Sequence, residues 1–182
     1  MEQNDFLKET QIDSTDLYDG TVVHLFKDTV LLSDGKTATR EYVRHIGAAA
    51  VLPITEEGDA LLVRQFRYPF GKALLEIPAG KRDSFSEDPL VTAKRELEEE
   101  TGFVAKKLIP LGEYYPSPAI LDERISLYLA LELKEGIQHL DCDEFLLPIR
   151  IPFTELIGMV ERGEIKDGKT QVAVLKAARI LE

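Results

Sequence analysis

Short apolar runs, each closed by a turn residue, organise the first half of this chain. Strand-like runs cover residues 21–32 and 37–45, and Ser33-Asp34-Gly35 between them signals a hairpin, since such turns need residues that tolerate a left-handed backbone. Residues 48–54 are a short apolar run suited to a buried strand, Glu57-Gly58 is a turn, and residues 60–66 and 74–77 read as further strands. A helix is expected next, with Glu87 and Asp88 at its entrance, Pro89 near its first position and Gly102 just past its end. Strands follow over residues 108–115, 125–133 and 149–151. Pro152 opens a second helix that runs to about Arg162 and is stopped by Gly163. Residues 171–181 form a terminal helix with Val172, Leu175, Ala178 and Ile180 in roughly one stripe. Residues up to about Asp16 lack clear periodicity and read as a flexible arm or an edge strand. Strands on both sides of one central helix, with two helices at the end, predict an α+β fold in which a mixed sheet lies between helices.

The central helix carries the chemistry. Its run Arg95-Glu96-Leu97-Glu98-Glu99-Glu100 puts Glu99 and Glu100 three and four residues after Glu96, so the three carboxylates share one side. Like charges at those spacings repel by a few tenths of a kcal/mol per pair, roughly. Leu90, Ala93 and Leu97 lie on a different face that can pack inward. Most glutamate runs are simply solvated helix faces. The alternative is a set of hard oxygen ligands for a magnesium-type cation. The surroundings favour the ligand reading: Glu76-Ile77-Pro78-Ala79-Gly80-Lys81 runs a strand end into a Pro/Gly turn, so strand, loop, helix and glycine stop each bring a carboxylate or a bend.

Composition narrows the classes of function. The 182 residues fit one domain, or one domain with a small appendage, and a net charge of −11 argues against a nucleic-acid partner held by a basic surface. No apolar stretch approaches the roughly 20 residues of a membrane span, and the polar, acidic N-terminus does not look like a signal peptide, so a cytoplasmic location is expected. The single cysteine, Cys142, excludes an intramolecular disulfide and a cysteine-based metal cage. His24, His45 and His139 are scattered and read as surface or partly buried residues.

The segment from Gly80 to Phe103 resembles the Nudix box, in which a glycine, five residues and a glutamate are followed, seven residues on, by Arg-Glu-apolar-x-Glu-Glu-x-Gly-apolar. The second half matches throughout, from Glu87 to Phe103. The first half departs by one residue, because six positions separate Gly80 from Glu87, which reads as an insertion in the loop over residues 81–86. The resemblance implies an αβα sandwich, with residues 47–182 as the hydrolase domain. Residues 1–46 would be an N-terminal β-region that crosses to a second subunit of a homodimer.

Outside the box, Gln65-Phe66-Arg67 and Leu75-Glu76-Ile77-Pro78-Ala79-Gly80 look like segments of nucleoside-diphosphate-sugar pyrophosphatases. Tyr114-Tyr115-Pro116-Ser117-Pro118, with Pro118 sixteen residues past Gly102, resembles the ADP-ribose branch, although Ala119 stands where that branch often has glycine. Asp141-Cys142-Asp143-Glu144 is similar to an acidic loop that supplies a late glutamate there. On this resemblance the substrate is a nucleoside diphosphate sugar, ADP-ribose first, split to AMP and ribose 5-phosphate. Mg2+, with Mn2+ as a substitute, would be held by Glu96, Glu99, Glu100 and the Ala79 carbonyl. Arg67 would clamp the diphosphate, with Glu76, Gly80 and Pro118 also lining the substrate. Glu144 is the first choice of general base and Glu99 the second, and Arg95 braces the glutamates. The competing readings are another nucleoside diphosphate derivative as substrate, and a Nudix-like sensor that binds a nucleotide without cleaving it.

Overall fold

The computed structural model describes residues 5–140 and 145–181 and divides into two compact units, Met1–His45 with Ser117–Glu123, and Ile46–Pro116 with Arg124–Glu182. The first unit is an antiparallel three-stranded sheet in the order β1-β2-β3, from Thr10–Asp19, His24–Leu31 and Thr37–Arg44. The expected Ser33-Asp34-Gly35 turn joins β2 to β3. Strand β1 is an edge strand, exposed at all ten positions, with Ile12, Leu17 and Tyr18 in solvent.

The second unit holds the remaining strands, β4 (Ala48–Pro53), β5 (Asp59–Arg67), β6 (Lys72–Glu76), β7 (Ala79–Lys81), β8 (Phe103–Tyr114), β9 (Ile125–Glu135) and β10 (Leu146–Pro152). Its helices are α1 (Pro89–Thr101), α2 (Phe153–Glu161) and α3 (Gly168–Leu181). One sheet runs β7-β4-β9-β8, with β4 and β9 parallel and the other pairs antiparallel; a second runs β10-β5-β6.

Strand β4 explains the layering. Its residues are all buried, so both faces must find apolar partners. Ala49 and Val51 pack with Ala93 and Leu97 of α1, while Ala48, Ala50 and Leu52 pack in the cluster that contains Phe153 and Leu156 of α2 and Ala173, Val174 and Ala177 of α3. The period of two along the strand thus sends alternate side chains to helices on opposite faces, which gives the mixed sheet between helices that the element order predicts.

Three expectations need correction. The Pro/Gly turn after β6 contains a short strand, β7, which forms because Ala48, Ala49 and Ala50 pair with Lys81, Gly80 and Ala79. Helix α3 begins at Gly168, not at residue 171, because Asp167 accepts hydrogen bonds from the backbone N–H and the hydroxyl of Thr170. Its buried stripe is Thr170, Ala173, Val174 and Ala177; of the expected stripe, Val172 and Ala178 pack half-buried against the core, while Leu175 and Ile180 are about half exposed. Small alanines let the helix sit close to the sheet, and that turns the larger side chains outward.

Candidate active site

Helix α1 is fixed at both ends as its sequence predicts. The side chain of Asp88 accepts the N–H of Leu90, Pro89 takes the first turn, and Gly102 adopts φ +72° and donates its N–H to the carbonyl of Glu98. Ala93 and Leu97 are fully buried against β4. The acidic side is not a solvated face, since Glu96 and Glu100 are 8% and 2% exposed.

Burying carboxylates requires partners. Nη1 of Arg95 donates to Glu96 Oε1 at 2.7 Å and to Glu99 Oε2 at 3.1 Å, while Nη2 donates to the Lys81 carbonyl at 3.0 Å. Arg95 therefore braces two glutamates and ties α1 to β7. The Glu96 carboxylate lies directly over Gly80, in space that a Cβ would fill. The donor set is chemically suited to a hard divalent cation: hard oxygens, two of the carboxylates nearly dry, with a guanidinium already between Glu96 and Glu99. Among the described residues no three His, Cys, Asp or Glu side chains are gathered for one ion.

Gly80→Ala tests the close approach. The added methyl must push the Glu96 carboxylate away from β7, so activity is expected to fall by about tenfold or more, while the circular dichroism spectrum stays unchanged. Unaltered kcat and KM would separate Gly80 from the site.

The loop with the extra residue has its own order. Arg82 Nε donates to the Glu87 carbonyl at 2.9 Å, and the Arg82 guanidinium also reaches the Phe85 carbonyl. Glu87 accepts the N–H of Asp83 at 2.6 Å, which is the main cause of its lowered pKa. Glu87 thus braces its own loop.

A second group of charges stands where β5, β6 and α3 meet. Glu76, 2% exposed, receives Arg67 Nε at 2.7 Å and Nη2 at 2.8 Å, a bidentate pair. Its Oε2 also accepts from Lys169 Nζ, which donates further to Asp167 Oδ1 at 3.0 Å. Burial opposes ionisation of Glu76 most strongly, yet the Arg67 hydrogen bonds and the Lys169 charge outweigh it and hold the pKa at about 2. Arg67 is held charged chiefly by its hydrogen bonds to Glu76, with the fields of Asp167 and Glu100 adding to the effect.

The sequence-predicted residues thus fall into several places. Ala79 and Gly80 on β7 adjoin α1, and Arg67 and Glu76 pair across β5 and β6. Pro118 lies in the first unit, in a turn where Ser117 accepts from the N–H of Ile120 and Leu121. Glu144, with Asp141, Cys142 and Asp143, lies outside the described residues. The chain leading to it is anchored over the end of α1. Gln138 Nε2 donates to the Glu100 carbonyl at 2.6 Å, His139 N–H to the Glu99 carbonyl at 3.2 Å, and Gly136 N–H to the Gly102 carbonyl at 2.7 Å. Tyr114 packs on the core, its hydroxyl against Gly168, whereas Tyr115 is half exposed beneath the guanidinium of Arg124. Lys169 and Asp167 join the Glu76 group without a strong signal in the sequence. The one signal for them is Asp167-Gly168-Lys169-Thr170, a capping residue three positions before a threonine.

Residues 43–171 match the family model described as NUDIX domain. The chain is 42% identical over 170 residues to an ADP-ribose pyrophosphatase of Bacillus subtilis (strain 168), covering 92% of this chain and 91% of that protein. It is 43% identical over 169 residues to a methanol dehydrogenase activator of Bacillus methanolicus, with the same coverage of 92% and 91%. The solved structure of an ADP compounds hydrolase superposes with a TM-score of 0.83 at 20% identity, covering 96% of this chain and 94% of that one, a likeness of fold.

Proposed function

The chain belongs to the NUDIX family, and from that membership we propose that it hydrolyses the diphosphate of ADP-ribose to AMP and ribose 5-phosphate. The observation that carries this reading is the pair of buried glutamates, Glu96 and Glu100, on a helix whose Glu96 carboxylate rests on Gly80. The 42% identity to a protein described as an ADP-ribose pyrophosphatase favours that substrate.

Each residue has a task in this reading. Glu96, Glu99, Glu100 and the Ala79 carbonyl would hold Mg2+, or Mn2+ in its place. The cation would neutralise the diphosphate, offsetting the chain's own −11 charge, and make a nearby water more acidic. Arg67 has Nε and Nη2 committed to Glu76 and presents Nη1 to a phosphate oxygen. Gly80 admits the Glu96 carboxylate, and Pro118 shapes a loop. Arg95 keeps Glu96 and Glu99 from repelling each other apart. Glu144 takes the proton of the attacking water, supported by the anchoring of residues 136–139 on the end of α1. Glu99 is the second choice for that role.

Purified protein incubated with ADP-ribose and Mg2+ is expected to yield equimolar AMP and ribose 5-phosphate, and EDTA is expected to abolish the reaction. Turnover undiminished by EDTA, or binding of ADP-ribose with no product, would overturn this reading. A panel of other nucleoside diphosphate sugars ranks the alternatives.

The protein is further proposed to be a cytoplasmic homodimer. No helix among the described residues is long and apolar enough to cross a membrane. An edge strand exposed along its length, carrying Ile12, Leu17 and Tyr18, leaves ladder groups and apolar side chains that a second copy would cover. Sedimentation is expected to give twice the 20.5 kDa chain mass; a monomer at every concentration tested would remove the dimer. Cell fractionation tests the location.

A further inference from the structure

Lys169 stands second in α3, 8% exposed, and it is an unusual position for a lysine, because burying an ammonium in water-free surroundings is costly unless its charge is met. The bonds around it close a ring. Lys169 Nζ reaches Glu76 and Asp167; Asp167 Oδ2 accepts from the hydroxyl of Thr170; the Thr170 hydroxyl oxygen accepts the N–H of Ile77 at 2.9 Å; and Ile77 follows Glu76 in the chain. A closed ring of this kind leaves Glu76 little freedom to turn. A buried ion pair contributes little stability beyond what apolar packing would give, so the ring asks for another use.

The use lies in what Glu76 holds. Arg67 has a flexible stem and a side chain 39% exposed, and its bidentate pairing to Glu76 fixes the plane of the guanidinium. Pairing with Glu76 alone would also cancel the charge of Arg67. Lys169 adds a second positive charge at Glu76 Oε2, the oxygen that also accepts Arg67 Nη2, and the Asp167 that balances Lys169 faces the N-terminal turn of α3, where the N–H of Thr170 takes up part of its charge. Arg67 is left aimed, with its side chain still open to an incoming anion.

We propose that Lys169 is a positioning residue, which acts through Glu76 to aim the guanidinium of Arg67 at the substrate diphosphate. The proposal rests on the reading of Arg67 as a phosphate clamp, and its test has one arm independent of substrate. In that arm the Arg67 Nε–H resonance, assigned by its loss in Arg67→Lys, is expected to exchange slowly with water in the full-length protein and rapidly in Lys169→Met. In the kinetic arm, Lys169→Met is expected to raise KM for ADP-ribose by about tenfold and to change kcat less than about twofold. In an Arg67→Ala background the same substitution is expected to change KM less than about twofold, because the group being aimed is gone.

Methionine keeps the apolar stem, and Lys169→Gln, which keeps a donor toward Glu76, serves if the first variant does not fold. A fall in melting temperature with the resonance and KM unchanged overturns the proposal and leaves Lys169 a structural ion pair. Equal KM effects with and without Arg67 overturn it too. If the wild-type protein does not split ADP-ribose, the substrate reading fails while the resonance still decides the role of Lys169.

Discussion

Glu100→Gln is expected to lower kcat by roughly a thousandfold, about 4 kcal/mol of transition-state stabilisation, with the melting temperature within a few degrees of wild type. The substitution keeps shape and removes one charge. Glu100 is 2% exposed, so no bulk water stands ready to replace a lost ligand oxygen, and an amide oxygen binds a hard cation more weakly than a carboxylate. Stability should not suffer much, since glutamine removes a repulsion with Glu96 one turn earlier. The measurement is kcat at saturating Mg2+ beside a thermal melt. Near-normal turnover with a normal melt would take Glu100 out of the metal site. Glu144→Gln sharpens the comparison: a loss of about a hundredfold or more fits a general base, whereas a small effect moves that role to Glu99.

Much of the site is legible in the sequence because its signals are local. Asp88, Pro89 and Gly102 bound α1 without help from the rest of the chain, and the glutamate spacing alone puts Glu96, Glu99 and Glu100 on one side. The apolar run of β4 reads as buried because both its faces are covered, so no polar residue interrupts it. What escapes the sequence depends on contacts distant along the chain. Strand β7 has three residues and no period to detect; it exists because β4 supplies its ladder. The inward turn of Glu96 follows from the close approach of Gly80, which lies sixteen residues before it. Lys169 reads as a surface residue by composition, and only its meeting with Glu76, 93 positions away, makes it part of the site.

Glu76→Ala is expected to have the largest effect on stability of any single change in this region. It leaves buried Lys169 with Asp167 as its one remaining carboxylate and frees Arg67, and stripping one partner from a buried pair typically costs about 3–5 kcal/mol. The pH dependence gives a gentler test of the same ion group. The Glu76 pKa is about 2 in the folded chain against an ordinary 4.5. A depressed folded-state pKa contributes stability above the unfolded value and loses it as pH falls through the folded one, so the contribution should fade between about pH 4.5 and pH 2. A shift of that size corresponds to roughly 3 kcal/mol. In urea titrations across that interval, the wild-type free energy of unfolding should fall with acid more steeply than that of Glu76→Gln, which has no carboxylate to protonate. Parallel acid limbs for the two proteins would mean that Glu76 contributes no charge-dependent stability, and the contacts of Glu76 with Arg67 and Lys169 would then be hydrogen bonding without net ionic gain.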